Sequence, residues 1–378
     1  MSRSCLIWGG VTLVVLSLAG FGGWVFSLPS ATAASAPAVP PEEADSVLAA
    51  LKPPKRERPL IAVIGINDAT ETTDYLMPTG ILRRADVADV MMLATGAGPV
   101  QLYPALKVEP DATIAQFDAE HPQGADYVIV PAMEPHDDPA ALAWIRNQAE
   151  KGATIVGVCA GATVVGAAGL LDGKRATTHW YFLKQLRDET PTVRYVANRR
   201  LVVDGAVATT TGITASMPMT LTLIEAIAGR PKAEAVARDL GLEAWDARHA
   251  SDAFRLTRPF ATTVLANRMA FWNREEFGIR LEPGMDEVSL ALVADAWSRT
   301  YRSNATSYAG SPDAVVTMNG VRVMPDRAGA DWPEGRRVST FTDRKPADAL
   351  DLVLDAITAR YGDSTTGVVA MQLEYPRQ

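Results

Sequence analysis

Cysteine is almost missing from this chain: 378 residues carry two, Cys5 and Cys159. Cys5 sits in an apolar N-terminal run, so a disulfide framework is excluded. Histidine is scarce as well, at four residues, and no cysteine–histidine spacing is ligand-like, which argues against a structural zinc site. No metal or cofactor is expected. Basic runs with interleaved aromatics are absent and the net charge is −8, so nucleic acid is not an expected partner. What remains, 48% hydrophobic and 21% charged, is globular composition, long enough for two domains or one domain with an extension.

Charge is also absent from "CLIWGGVTLVVLSLAGFGGWVFSL", Cys5 to Leu28. That run is long enough to span a bilayer, with Arg3 before it and Glu42, Glu43 and Asp45 beyond. Residues 6–28 are therefore expected to anchor the chain in a membrane, with its bulk extracytoplasmic, in a periplasm. The alternative is a signal peptide cleaved within "ATAASAPA" and a secreted protein. Residues 1–30 form this anchor or signal peptide. Residues 31–58 are a Pro/Ala-rich linker in which "EEADSVLAALK" reads as a short helix.

The lone downstream thiol has a telling context, "TIVGVCAGATVVGAAGLL" from Thr154. "ATIVGV" reads as a buried strand, and "AGATVVGAAGLLDG" as a helix ending at Gly173. Cys159 then sits on a sharp strand-to-helix turn whose crowding is met by Gly157, Ala160 and Gly161, the logic of a nucleophile elbow. A helix N-terminus favours the thiolate. The other reading is a buried structural cysteine. Around it, "PLIAVIGIN", "DVMMLAT" and "ADYVIVPA" read as buried strands between helices, which implies a parallel sheet covered on both faces, with active groups at the strands' carboxyl ends. "PVQLYPALKVEPDATI" alternates like a hairpin, and Asp204–Gly205 marks a tight antiparallel turn. Further on, Asn319–Gly320 signals another hairpin, "PADALDLVLDAITARYG" a helix and "TTGVVAMQLEYP" a closing strand. No internal repeat is apparent.

"DYLMPTGILRRA" from Asp74, "ALKVEPDATI" from Ala105, "VGVCAGATVVGAAGLLDGKRATTHW" from Gly157 and "RYVANRRLVVDGAVATTTGITASM" from Arg194 resemble the ThiJ/PfpI superfamily. The version they are most similar to occurs in isocyanide hydratases and at the N-terminus of AraC-type regulators. The resemblance implies a fold related to class I glutamine amidotransferases: a flavodoxin-like α/β domain over 59–232 with a cysteine elbow, followed by a C-terminal α/β extension over 233–378. It implies a reactive Cys159 and an acid, Asp74, leaning over it. From the residues alone Asp74 reads as a helix N-cap. His179, in "TTHW", either faces the cysteine or anchors its loop. The other three histidines read as surface or loop residues. Backbone donors for an anionic intermediate are expected from Ala160 and Gly161 at the helix start and from Ala132 in the loop after "YVIV".

Several positions depart from the family pattern. Pro131-Ala132-Met133 stands where many members have a Gly-Gly pair. Ala160 stands where protease-like members have histidine, which argues against a Cys–His dyad. Pro218 stands near the regulator-type aspartate, and nothing after residue 235 reads as a helix-turn-helix pair. Three functions stay open. One is a cysteine-dependent hydratase or hydrolase of a small electrophile using Cys159 with Asp74. The second is a non-enzymatic small-molecule-binding or redox-sensing protein. The third is a regulator-like domain without a DNA-binding half. The expected partners are a small-molecule substrate or ligand and the membrane, with a homodimer left open.

Overall fold

The computed structural model describes residue 20 and residues 22–30, 36–53, 55–329 and 331–376. The strands of the first part are β1 (Leu60–Gly65), β2 (Asp68–Glu71), β3 (Asp89–Ala94), β4 (Val100–Tyr103), β5 (Lys107–Glu109), β6 (Ala112–Thr113), β7 (Tyr127–Val130), β8 (Thr154–Gly157), β9 (Arg175–Ala176), β10 (Arg194–Tyr195), β11 (Leu201–Asp204) and β12 (Val207–Thr210). The helices are α1 (Pro41–Ala50), α2 (Thr72–Ala85), α3 (Ile114–Glu120), α4 (Pro139–Glu150), α5 (Gly161–Ala167), α6 (Leu183–Glu189), α7 (Ser216–Ala228) and α8 (Arg230–Leu240).

Seven strands form the central sheet in the order β11-β12-β8-β7-β1-β3-β6, parallel except for the β11–β12 hairpin. β1, β7 and β8 are buried along their whole length, as continuous apolar runs in a sheet covered on both faces must be. One face packs on α4 and α5 through Ile64, Val128, Ile145 and Val165, and the other on α2 and α7 through Val63, Ile129, Leu76 and Leu221. The fold is the expected flavodoxin-like α/β sandwich.

The later part adds α9 (Arg258–Met269), β13 (Glu275–Arg280), α10 (Glu287–Ser298), β14 (Ser303–Ala309), β15 (Val315–Val316), β16 (Arg322–Met324), β17 (Arg327–Ala328), α11 (Asp348–Tyr361) and α12 (Asp363–Leu373). β13, β14 and β17 make a parallel three-stranded sheet. The hairpin β15–β16 turns at Asn319–Gly320 and pairs with β5, so strands from both parts share a sheet in the order β15-β16-β5-β4-β2. α10 is buried on every side from Glu287 to Trp297 and belongs to the same core as α2 and α7.

Four expectations change. The segment read as a closing strand is α12. Its β-branched Thr365, Thr366, Val368 and Val369 bury at helical spacing, and packing overrides their strand propensity. The helix after Cys159 ends at Ala167, because Gly169 takes a left-handed φ of 76° four residues before the expected stop. His249 is not a surface residue: its ring is buried, stacked on Phe254 at 5.2 Å and 3.5 Å from Glu374. The membrane-anchored, extracytoplasmic placement is also corrected. Among the described residues no helix is long and apolar enough to cross a membrane. Residues 6–19 and 21 of the expected span lie outside the described residues. Its other end is helical over 22–27 and docks on α9: Val25 is buried, Arg258 lies over the Phe26 ring at 5.5 Å, and the Arg258 guanidinium donates to the Phe26 carbonyl at 2.8 Å.

Candidate active site

Cys159 leaves β8 on a turn that few side chains tolerate, with φ +57°. That left-handed conformation costs a non-glycine residue of order 1–3 kcal/mol. Neighbours hold it in place: the Cys159 N–H donates to Thr210 Oγ1 at 3.1 Å, and Thr178 Oγ1 donates to the Cys159 carbonyl at 3.1 Å. Gly161 is obligatory for packing, since a Cβ there would lie 2.0 Å from the Val130 carbonyl oxygen. The elbow read from "VGVCAGA" is therefore present in geometry as well as in letters.

The three expected backbone donors divide. The Ala160 N–H faces the Cys159 sulfur. The Gly161 N–H is spent on the Val158 carbonyl at 2.7 Å, and the Ala132 N–H on Asp74 Oδ2 at 3.2 Å. Of the three, the Ala160 N–H is the one directed at the sulfur, while Ala132 instead fixes the acid.

Asp74 is completely buried at the start of α2, and its Oδ1 has no hydrogen-bond partner among the described residues. It is not the N-cap. Glu71 is, accepting from the Asp74 N–H at 2.6 Å and from Thr73 Oγ1 at 2.9 Å. Burial, and then the neighbouring Glu71 charge, push the Asp74 carboxyl well above the usual range, so it holds its proton. Burial and the Asp295 charge push Glu71 up to about 7, against the pull of Arg299.

Arg299 was not a sequence candidate. It closes α10, donates to Glu71 Oε1 at 2.8 Å, and grips Asp295 at 2.7 and 2.9 Å. Burial works against its charge, and the Asp295 and Glu71 carboxylates outweigh that, so it remains a cation. Nothing in "DAWSRTYRS" distinguishes it from a surface helix-end arginine. Only the docking of α10 against α2 brings it here. Glu374, at the end of α12, is buried too, accepting from the N–H groups of Trp180 at 2.6 Å and Gly212 at 2.8 Å. Cys159 thus lies under a roof contributed by the last third of the chain.

That roof overturns the expected activated thiolate. Burial, followed by Asp74, Glu71 and Glu374, pushes the Cys159 thiol well above its ordinary value, more than the Ala160 N–H lowers it. α5 is only seven residues long and offers little dipole in compensation. His179 spends both ring nitrogens on the backbone: Nδ1 accepts from the Tyr181 N–H at 3.2 Å and Nε2 donates to the Gln372 carbonyl at 2.9 Å. Burial lowers its pKa to about 4. It is a neutral loop anchor with no nitrogen left to take the thiol proton. Among the described residues no group of acidic, histidine and cysteine side chains is placed to hold a metal ion.

A strained cysteine after β8, with a buried acid at the start of α2, defines a cysteine-elbow α/β domain. The DJ-1/PfpI family profile matches residues 61–226. The chain is 34% identical over 168 residues to an isonitrile hydratase of Pseudomonas putida, covering 43% of this chain and 70% of that protein. The chain belongs to the DJ-1/PfpI family. It is also 30% identical over 170 residues to the HTH-type transcriptional regulator CdhR of Pseudomonas aeruginosa, spanning 44% of this chain and 47% of the regulator. Among solved structures, Drosophila melanogaster DJ-1beta superposes with a TM-score of 0.44 at 24% identity, covering 49% of this chain and all of that one.

Proposed function

We propose that the chain catalyses cysteine-dependent hydration of a small, uncharged electrophile, with an isonitrile as the first substrate to test. The observation that carries this reading is the pairing of an elbow cysteine at φ +57° with a buried Asp74 that keeps its proton. A neutral thiol and a neutral acid suit an uncharged substrate. The Cys159 sulfur bonds to the terminal carbon of the isonitrile, and the thiol proton reaches that carbon through Asp74. Water then adds to the same carbon, the C–S bond breaks, and an N-formyl amine leaves as the thiol is restored. Similarity to the isonitrile hydratase across 70% of that protein supports the assignment. The test is to incubate the purified chain with an alkyl isonitrile and follow formamide by NMR. Turnover that Cys159→Ala abolishes is the expected result, and equal rates for wild type and Cys159→Ala would refute the reading.

A second reading, small-molecule binding or redox sensing without turnover, draws on one observation: Cys159 is only 4% exposed beneath its roof. Its sign would be oxidation of Cys159 to the sulfenic acid by dilute peroxide in a chain that does not hydrate isonitriles.

A further inference from the structure

The last third of the chain repeats the first in element order. Apart from the short β2, which has no later counterpart, β1-α2-β3, the hairpin β4–β5 and β6 are followed, much later, by β13-α10-β14, the hairpin β15–β16 and β17. From the helix onward the two series run at one constant spacing, with Arg84 matched by Arg299, Val108 by Val323, Pro110 by Pro325 and Asp111 by Asp326. Details of the backbone match as well. Asp111 accepts from the Met92 N–H at 2.7 Å and returns its own N–H to the Met92 carbonyl at 2.8 Å. Asp326 does the same with Ser307, at 2.9 and 3.0 Å. Asp86 and Tyr301, at matched positions after the helix, are both left-handed, with φ 49° and 58°.

A second match joins the closing helix pairs. α7 and α8 meet at Gly229 (φ 83°, ψ 163°), and α11 and α12 meet at Gly362 (φ 82°, ψ 166°). Both pairs end on a left-handed residue, Gly241 and Glu374, followed by the same 2.8 Å bond, Leu242 N–H to the Ala237 carbonyl and Tyr375 N–H to the Ala370 carbonyl. Between β17 and α11, residues 329–347 stand where the first series has α3 through β12, so among the described residues the later series has no elbow of its own.

The two series also meet as equivalents. β5 and β16 pair antiparallel with Val108 opposite Val323, Lys107 opposite Met324 and Glu109 opposite Arg322, the register of two copies about a two-fold axis. Arg84 at the end of α2 bonds Asp286, the N-cap of α10, and Arg299 at the end of α10 bonds Glu71, the N-cap of α2. A cavity of about 440 Å³ near this axis is lined by matched pairs, Met77 with Leu292, Met217 with Leu350 and Leu242 with Tyr375.

We infer that residues 275–375 are a shortened second copy of the Cys159 domain, paired with it about an internal two-fold axis, and that Arg299 is the copy's contribution to the site: a positioning residue that holds Glu71 beside Asp74 and Cys159. Its counterpart Arg84 makes the matching contact at Asp286, where no cysteine lies. The copy gave up its own elbow and kept the face that completes the first one. The assignment rests on Cys159 being the working group of the site, but its test reads alkylation rather than turnover, so it stands or falls separately from isonitrile hydration.

Cys159 is faced by Asp74 and Glu71 at the start of α2, by Glu374 at the end of α12 and by Arg299 at the end of α10, with Asp295 behind Arg299. The experiment is iodoacetamide labelling of Cys159 in the full chain across pH, quantified by mass spectrometry of its peptide. In wild type the rate profile is expected to show a step near 7, where Glu71 titrates, and Glu71→Gln removes it. Arg299→Met leaves Glu71 buried without its cation and moves the step up by one pH unit or more. Arg84→Met, which breaks the matching contact, leaves the step in place. A step that survives Glu71→Gln, an unmoved step in Arg299→Met, or an equal movement in Arg84→Met each overturns the proposal. If Arg299→Met does not fold, Arg299→Lys keeps the charge and loses the two-pronged grip. A smaller upward shift is then expected, and no shift overturns the proposal.

Discussion

Cys159 holds its position at the expense of its backbone. Because its φ is +57°, glycine in its place removes strain that alanine keeps. Cys159→Gly is expected to be more stable than Cys159→Ala by about 1 kcal/mol, measured by urea unfolding, and an equal or lower stability would mean that the turn is not strained. Asp74→Asn retains an amide near the sulfur but cannot pass a proton. Hydration should fall about 100-fold or more with an unchanged fold, and full activity would remove Asp74 from the mechanism. Glu71 adds a pH dependence of definite sign. Its carboxyl titrates near 7 when folded, above its unfolded value, so the unfolded chain releases the proton first as pH rises. Stability due to Glu71 is complete below the unfolded value of about 4.3 and declines toward 7. His179 acts oppositely: its folded pKa of about 4 lies below the unfolded value, so stability falls as pH drops from about 6.5 toward 4. The difference between wild type and Glu71→Gln isolates the first effect. Between about pH 4.3 and 7 wild type should lose stability relative to the variant, and a flat difference would place Glu71 at an ordinary pKa.

At the scale of elements, the two helix junctions carry matched demands. Gly229 and Gly362 both combine φ near 82° with extended ψ, a region essentially closed to side chains. Gly229→Ala and Gly362→Ala are each expected to cost about 1–3 kcal/mol in chemical unfolding, and a cost at only one junction would break the equivalence of the helix pairs. The elements around Cys159 were legible in the sequence because their signals are local. Apolar strands, a small-residue turn and the Asp204–Gly205 and Asn319–Gly320 hairpins all declare themselves within a few residues. Asp74 was legible through a motif, although its N-cap reading failed because Glu71, three residues earlier, takes that place. The roof was not legible. Arg299, Glu374 and Gln372 reach the site only through docking of α10 and α12, and no local pattern encodes which helix end meets which N-cap. The repeat is not legible in the sequence for a related reason: what it preserves is backbone hydrogen bonding and turn geometry, at positions such as Asp111 and Asp326, while most side chains between them have changed.

The whole molecule follows from that repeat. An isologous pair normally needs two chains, because the same patch on each subunit meets itself. Here the hairpin edge of β5 is taken by β16 and the α2 face by α10, so both surfaces through which a second chain would enter are filled by the chain's own later part. The core this creates is continuous: Leu76 and Leu82 from α2, Leu221 from α7, and Leu290 and Val293 from α10 are all buried in one cluster. Opening it would expose apolar area worth about 25 cal/mol per Å², so the two parts should unfold together. The same packing predicts that the homodimer left open by the sequence does not form through this face. Sedimentation of the chain without its first 35 residues should give one species of monomer mass at every concentration, and its urea unfolding should be a single transition followed alike by tryptophan fluorescence and by backbone circular dichroism. Val323→Arg places a charge opposite Val108 at the centre of the strand pair, where water is excluded. It should lower stability by roughly 2 kcal/mol or more and expose the β5 edge, so that association appears as concentration rises. A wild-type dimer that Val323→Arg dissociates would show instead that this face serves a second chain.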